Sequence, residues 1–212
     1  MAIHLITGLP GAGKTYFLVK KTIDFILSGK AVYTNFDIDL SFFPFKPNRS
    51  IIRKVRETKN GILYFWSTYE DFKNIKSGVV VCDESYSLFG SKDWQKLPID
   101  IVKKFMTHRH DSLDIWACSQ SQKRIHNTVR EITNFVHRVK SFKLPLFPRL
   151  FFVRTLDPDD VFSDKVKPRC LGFDVFWFDK LVARCYDTLD KKTMGVDIDN
   201  KYKFKILYSP KP

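Results

Sequence analysis

No run of apolar residues in this sequence approaches the roughly 20 needed to span a bilayer. There is no basic n-region, and the first apolar run is broken at once by Gly8 and Pro10, which argues against a secretory signal. The four cysteines include no Cys-x-x-Cys, and no nearby His completes a metal-ligand spacing, which argues against a zinc module. Cys82 and Cys118 lie inside apolar runs and read as small buried hydrophobes, while Cys170 and Cys185 fall in the C-terminal part. Reduced thiols and a cytoplasmic location are the expectation. Internal repeats and low-complexity tracts are also missing. Acids are scarce: 23 Asp and Glu against 36 Lys and Arg, a net charge of +13. That surplus suits a polyanionic partner, nucleic acid or an anionic membrane face, or else a generally solvated basic surface.

Against these absences stands one complete motif. Residues 8–15 read Gly8-Leu9-Pro10-Gly11-Ala12-Gly13-Lys14-Thr15, the G-x-x-x-x-G-K-[ST] phosphate-binding loop. It follows a short apolar strand pattern, Ile3–Thr7, and opens a helical pattern, Lys14–Leu27, which is the context the motif requires. The glycines let backbone N–H groups turn inward toward phosphate oxygens, and the helix start adds its positive dipole end. Lys14 suits the β- and γ-phosphates of ATP, and the Thr15 hydroxyl suits Mg²⁺.

The first two-thirds of the chain alternates strand and helix. Strand patterns fall at Ala31–Asn35, Val79–Asp83, Ile115–Ser119 and Phe135–Phe142. Helix patterns fall at Thr68–Ile75, with Thr68 and Asp71 spaced as a near capping box, at Ile99–His108, and at Lys123–Thr133. This rhythm predicts an α/β fold with a parallel sheet, a P-loop NTPase core over residues 1–145. After Phe142 the rhythm changes. Phe151–Thr155, Phe173–Phe178 and Val182–Tyr186 read as short strands with no helix between them, so residues 146–212 are expected to form a small β-rich extension packed on the core.

Hydrolysis needs more than a phosphate cradle. The run Val79-Val80-Val81-Cys82 builds a strand buried on both faces and ends in Asp83-Glu84. Asp83 at the strand tip is suited to orient Mg²⁺, and Glu84 to take a proton from attacking water. The strand Ile115–Cys118 ends in Ser119-Gln120, and Gln120 is placed to sense the γ-phosphate, or simply to end the strand. Phosphoryl transfer also gains from a cation beside the γ-phosphate, often from a neighbouring subunit. Arg109, Arg124 and Arg130 flank the sensor strand, and spacing alone does not choose among them.

These blocks together resemble the ATPase domain of the Zot family, the zonula occludens toxin and the related filamentous-phage assembly protein. The likeness rests on Gly8–Thr15, on Tyr33-Thr34-Asn35 with Asp37–Leu40, on Val81–Glu84 followed by Trp94, on His108-Arg109-His110 with Asp114-Ile115, on Ser119-Gln120, on Ile125-His126 through Arg130, and on Cys185-Tyr186-Asp187-Thr188. It implies a P-loop motor of the additional-strand class, akin to FtsK/HerA DNA pumps, that uses ATP and Mg²⁺ to move or extrude a phage genome. It makes Arg109 the leading candidate for an arginine finger or sensor, with Arg130 second, and Gln120 the sensor. It also implies a homo-oligomeric ring in the host cytoplasm, recruited to a membrane or virion partner. The familiar members continue into a transmembrane helix and a periplasmic tail, for which these 212 residues hold no pattern. A genome-packaging relative and a trimmed domain both fit.

Residues 46–59 carry Lys46, Arg49, Arg53, Lys54, Arg56 and Lys59 against the single acid Glu57, with aromatic residues on either side. That composition suits single-stranded DNA, or an ordinary solvated loop. Arg138, Lys140 and Lys143 form a second basic group of the same two readings. The competing functional class is a P-loop nucleotide kinase. Its length and early P-loop would match, but it needs neither an Asp-Glu pair nor a strand-end Gln. A nucleotide-dependent assembly protein with weak hydrolysis is the third reading.

Overall fold

Val79, Val80 and Val81 are each 1% exposed or less, because the strand they build is covered on both faces. This is β4 (Gly78–Cys82), near the middle of the computed structural model, which describes residues 1–40, 62–85, 98–121, 125–143, 148–163, 166–186 and 205–208. Around it lie β1 (Ile3–Thr7), β2 (Val32–Thr34), β3 (Leu63–Phe65), β5 (Leu113–Ser119), β6 (Phe135–Phe142), β7 (Leu150–Leu156), β8 (Cys170–Trp177) and β9 (Lys205–Tyr208). Among the described residues they form one sheet in the order β8-β7-β6-β1-β5-β4-β2-β3-β9. The six strands from β6 to β3 are parallel, and antiparallel strands extend both sides. The fold is α/β, a mostly parallel sheet with helices, as the alternating pattern predicts. β5 lies between β1 and β4, which is the additional-strand order.

Helix α1 (Lys14–Leu27) covers one face of the sheet. Its Phe17, Leu18, Val19, Ile23 and Ile26 are buried with Ile6, Val81, Cys118 and Val139, each large side chain contributing about 1.5–3 kcal/mol. The other face is covered by α2 (Tyr69–Asn74), α3 (Ile99–Met106) and α4 (Asn127–Glu131), whose Phe72, Phe105 and Val129 meet Leu5, Val80, Cys82 and Ile115. The capping box of α2 is formed: the Asp71 N–H donates to Thr68 Oγ1 at 3.1 Å, and the Thr68 N–H donates to Asp71 Oδ2 at 2.9 Å.

Three local expectations need correction. Of the helix expected over Lys123–Thr133, the described residues from Ile125 onward form Asn127–Glu131, because the His126 side chain accepts from the Thr128 N–H and starts the helix there. The strand expected at Val182–Tyr186 is instead a helix, α6 (Lys180–Arg184). Asp179 caps it, accepting from the Leu181 N–H at 2.8 Å, while its own N–H donates to the Tyr16 hydroxyl at 2.7 Å. A further helix, α5 (Pro158–Phe162), separates β7 from β8. Asp157 is its N-cap and Pro158 stands at its start, a signal the aromatic strand pattern obscured. β7 and β8 hydrogen-bond outward from β6, so the strands of the C-terminal part continue the same sheet.

Because β1, β2, β4 and β5 are parallel, the residues that follow them emerge along one carboxyl edge. Gly8, Asn35, Asp83 and Gln120 all stand there, where open α/β sheets bind ligands.

Candidate functional site at the carboxyl edge

The loop after β1 turns through left-handed backbone at Gly11 (φ 72°) and Gly13 (φ 91°). At Gly13 the conformation is reinforced by crowding. A Cβ there would overlap Cε1 of Phe151 and stand 2.9 Å from its Cδ1. The Ala12 N–H donates to the Leu9 carbonyl at 3.1 Å, which closes the loop, and Lys14 Nζ donates to the same carbonyl at 3.1 Å. Lys14 therefore lies across the loop mouth, ready to exchange that carbonyl for a phosphate oxygen.

Thr15 and Asp83, 68 residues apart, are in direct contact: Thr15 Oγ1 donates to Asp83 Oδ2 at 2.7 Å. This joins the two groups expected to hold Mg²⁺. An alcohol and a carboxylate that meet beside a phosphate cradle are the oxygen donors a hard cation takes with few protein ligands. The residues fit ATP with Mg²⁺.

Asp83 itself is held by a residue to which the sequence reading assigned no role. Asn35, at the end of β2, clasps its backbone from both sides. Asn35 Nδ2 donates to the Asp83 carbonyl at 2.9 Å, and the Asp83 N–H donates to Asn35 Oδ1 at 2.8 Å. The available signal was a polar amide directly after a buried strand, the rule that identified Gln120. Glu84 is exposed, and its φ of 46° is unusual for a non-glycine residue. Its N–H donates to Asp83 Oδ1 at 2.9 Å. Ser85 is buried and ties the turn to β5: its N–H and its hydroxyl both donate to the Cys118 carbonyl at 2.8 Å. Burial pushes the thiols of Cys82 and Cys118 well above their ordinary range, so both stay protonated and structural.

Gln120 lies across from the loop. It lines, with Thr7 to Ala12, Ser121 and Arg138 to Phe142, a cleft of about 630 Å³. Arg138 and Lys140 thus belong to the rim of this site, which their basic composition alone did not reveal. Tyr186, half-buried near Tyr16 and Asp83, has its phenol pushed up to about 12, mainly by burial.

The two arginines expected near the γ-phosphate are not brought to it in this chain. Arg109 is exposed in the turn between α3 and β5. That turn precedes β5, whereas Gln120 follows it, so about seven residues of strand, roughly 20 Å, separate them. The surrounding corner is structural. His108 is buried with Nδ1 against the Phe105 carbonyl at 2.7 Å, and Lys104 pairs with Asp111 at 2.8 Å. Arg130 reaches Asn127 on its own helix and lies over the Phe162 ring, 6.0 Å from its centroid. Neither arginine lines the cleft. Arg124, Trp94, Asp187, Thr188 and the basic segment 46–59 lie outside the described residues.

The Gene 1 protein of Escherichia phage If1 is 27% identical over 165 residues, covering 73% of this chain and 47% of that protein. The chain thus spans about half the length of the curated relatives it matches. Among solved structures, the N-terminal domain of zonular occludens toxin from Neisseria meningitidis is 20% identical with a TM-score of 0.53, covering 88% of this chain and 98% of that one. The genome packaging NTPase B204 from Sulfolobus turreted icosahedral virus 2 is 15% identical with a TM-score of 0.50, covering 80% and 94%. Both likenesses establish the P-loop NTPase fold. The family model described as Zonular occludens toxin (Zot) matches residues 2–159, and this chain belongs to the Zot family.

Proposed function

We propose that the chain is an ATP-hydrolysing motor that moves a phage genome during virion assembly. The observation that carries the hydrolytic part is the 2.7 Å contact between Thr15 and Asp83, with Glu84 next in the chain and Gln120 lining a cleft with the loop residues Gly8 to Ala12. The loop amides and Lys14 bind the triphosphate. Thr15 and Asp83 would hold Mg²⁺, which neutralises charge on the transferring phosphoryl group. Glu84 takes the proton of the attacking water, and Gln120 orients that water or reports the loss of the phosphate.

The genome part rests on the kind of relative matched, a phage Gene 1 protein and a viral genome packaging NTPase, and on the +13 charge. Arg109 contributes to the nucleotide site only by crossing to another copy, which requires a ring or at least a dimer. The 1–145 core then carries the chemistry, and the strands after it widen the sheet. No helix among the described residues is long and apolar enough to cross a membrane. The motor works in the host cytoplasm, where ATP is available, recruited to the assembly site by a partner at a membrane or virion.

The test is Mg²⁺-dependent phosphate release, with and without DNA. Glu84→Gln should bind ATP normally and stop turnover, while Lys14→Ala should weaken both. Parent-rate hydrolysis by Glu84→Gln would overturn the catalytic assignment.

A further inference from the structure

Among the described residues, one face of β6, β7 and β8 is left uncovered beyond α5, beside the cleft at the phosphate loop. The strand registers put three cations on it. Arg138 pairs directly with Arg154 across β6 and β7, and Lys140 stands two residues along from Arg138. Like charges placed opposite one another on a sheet repel, a cost that an anion between them would relieve. Four rings share the face. Phe142 is 51% exposed, Phe152 37%, Phe173 75% and Trp177 51%. The registers interleave them with the cations: Phe173 is opposite Arg154, Phe152 opposite Lys140, and Trp177 opposite Leu150, itself the partner of Phe142. No Asp or Glu stands in these rows; Asp174 points to the other face, where it pairs with Lys21 at 3.8 Å. A groove of about 460 Å³ runs between Arg138, Lys140, Phe142, Leu150, Phe152 and Arg154.

We propose that this sheet face binds a single strand of nucleic acid, with bases stacked on the exposed rings and phosphates held by Arg138, Lys140 and Arg154. Flat rings at sheet positions roughly 5–7 Å apart suit two or three unpaired bases. A duplex keeps its bases stacked on one another and cannot use the rings. A second copy of this chain fits worse, because its +13 charge brings few acids to answer three cations. A partner of apolar chemistry fits worse too, since apolar interfaces place charge at the rim, and here the cations lie within the rows of rings. The inference rests on the reading of the chain as a DNA motor and gives it a strand path. Because Arg138, Lys140 and Phe142 line both this groove and the P-loop cleft, the nucleotide state can alter the grip on the strand.

The probe is a short thymidine oligonucleotide, followed through Trp177 fluorescence and by anisotropy at two salt concentrations, on the full chain. Trp66 and Trp116 are buried and Trp94 lies outside the described residues, so the part of the quenching that disappears in Trp177→Phe is the part that reports stacking at this face. Phe152→Ala, Phe173→Ala and Arg154→Glu are exposed changes that should leave basal ATP hydrolysis and the melting temperature near the parent values. Together they should weaken single-strand binding at least about tenfold. Parent-like binding by this triple variant would overturn the face and leave the motor reading intact. A parent protein that hydrolyses ATP yet binds neither single strand nor duplex would overturn both. Tighter binding of duplex than of single strand would overturn the stacking mode. A change in the mass of the assembly without a change in DNA affinity would make the face a contact between copies and refute the proposal.

Discussion

Replacing Asn35 isolates what the clasp on Asp83 contributes. Asn35→Ala removes two hydrogen bonds, of 2.9 and 2.8 Å, and leaves the Asp83 N–H and carbonyl without those partners at a half-buried position. At about 0.5–1.5 kcal/mol each, the loss is about 2 kcal/mol of stability. For a chain of this size that is roughly 4–8 °C in melting temperature. The larger effect should be on turnover. Asp83 shares a carboxylate oxygen with Thr15 at 2.7 Å and accepts from the Glu84 N–H at 2.9 Å, so a shift of its backbone moves both acids. A misplacement near 1 Å costs about a hundredfold in rate. kcat should therefore fall by one to two orders of magnitude, while nucleotide affinity, carried by the loop and Lys14, changes little. Asn35→Asp is the informative companion. Its carboxylate keeps an acceptor for the Asp83 N–H, loses the donor to the carbonyl, and adds a negative charge beside the cation site. It should be no better than Asn35→Ala. The assay is steady-state phosphate release with KM measured separately, alongside thermal melting. A melting temperature lowered as expected but an unchanged kcat would refute the claim that Asn35 positions the metal-holding acid.

Gly13→Ala should destabilise strongly, because its Cβ meets a buried ring stacked on Tyr16 and not a flexible side-chain end, and the φ of 91° adds strain. Phe151→Leu in the same chain should recover part of the loss in melting temperature, and no recovery would put the cost in the backbone alone. His4 and His137 are stacked, with Nδ1 and Nε2 2.8 Å apart, and burial above all lowers their pKa values to about 4 and about 3. Both lie below the unfolded value of 6.5, so the unfolded chain binds more protons across that interval. Stability is then full above about pH 6.5 and falls as acid is added from there toward about pH 4. Urea melts at pH 7 and pH 5 should show a lower midpoint at pH 5, an effect reduced in His137→Asn; identical midpoints would refute it. Arg109→Ala should abolish turnover without weakening nucleotide binding, and mixing it with Glu84→Gln should restore some activity if Arg109 acts on a neighbouring copy. A flat mixture assigns Arg109 to its corner of the fold.

What the sequence showed depended on how local the cause was. The phosphate loop, α1 and the Asp83 strand were legible because each is dictated by contiguous residues: glycines at fixed spacing, a 3.6-residue apolar period, three valines in a row. Asn35 was not, because its role appears only when β2 pairs beside β4 and sets residue 35 against residue 83. Arg109 was singled out by the family resemblance and not by spacing. It precedes β5 whereas Gln120 follows it, so within one chain the two stand at opposite ends of the strand. α6 was missed because a short apolar run carries no periodicity; the Asp179 cap and the Tyr16 contact decided it. The basic residues of β6 show the same limit most sharply. Composition placed Arg138 and Lys140 equally on any surface. Only the cross-strand register sets Arg138 against Arg154 and interleaves both with exposed rings, and that pairing gathers the positive charge on one surface beside the phosphate-loop cleft.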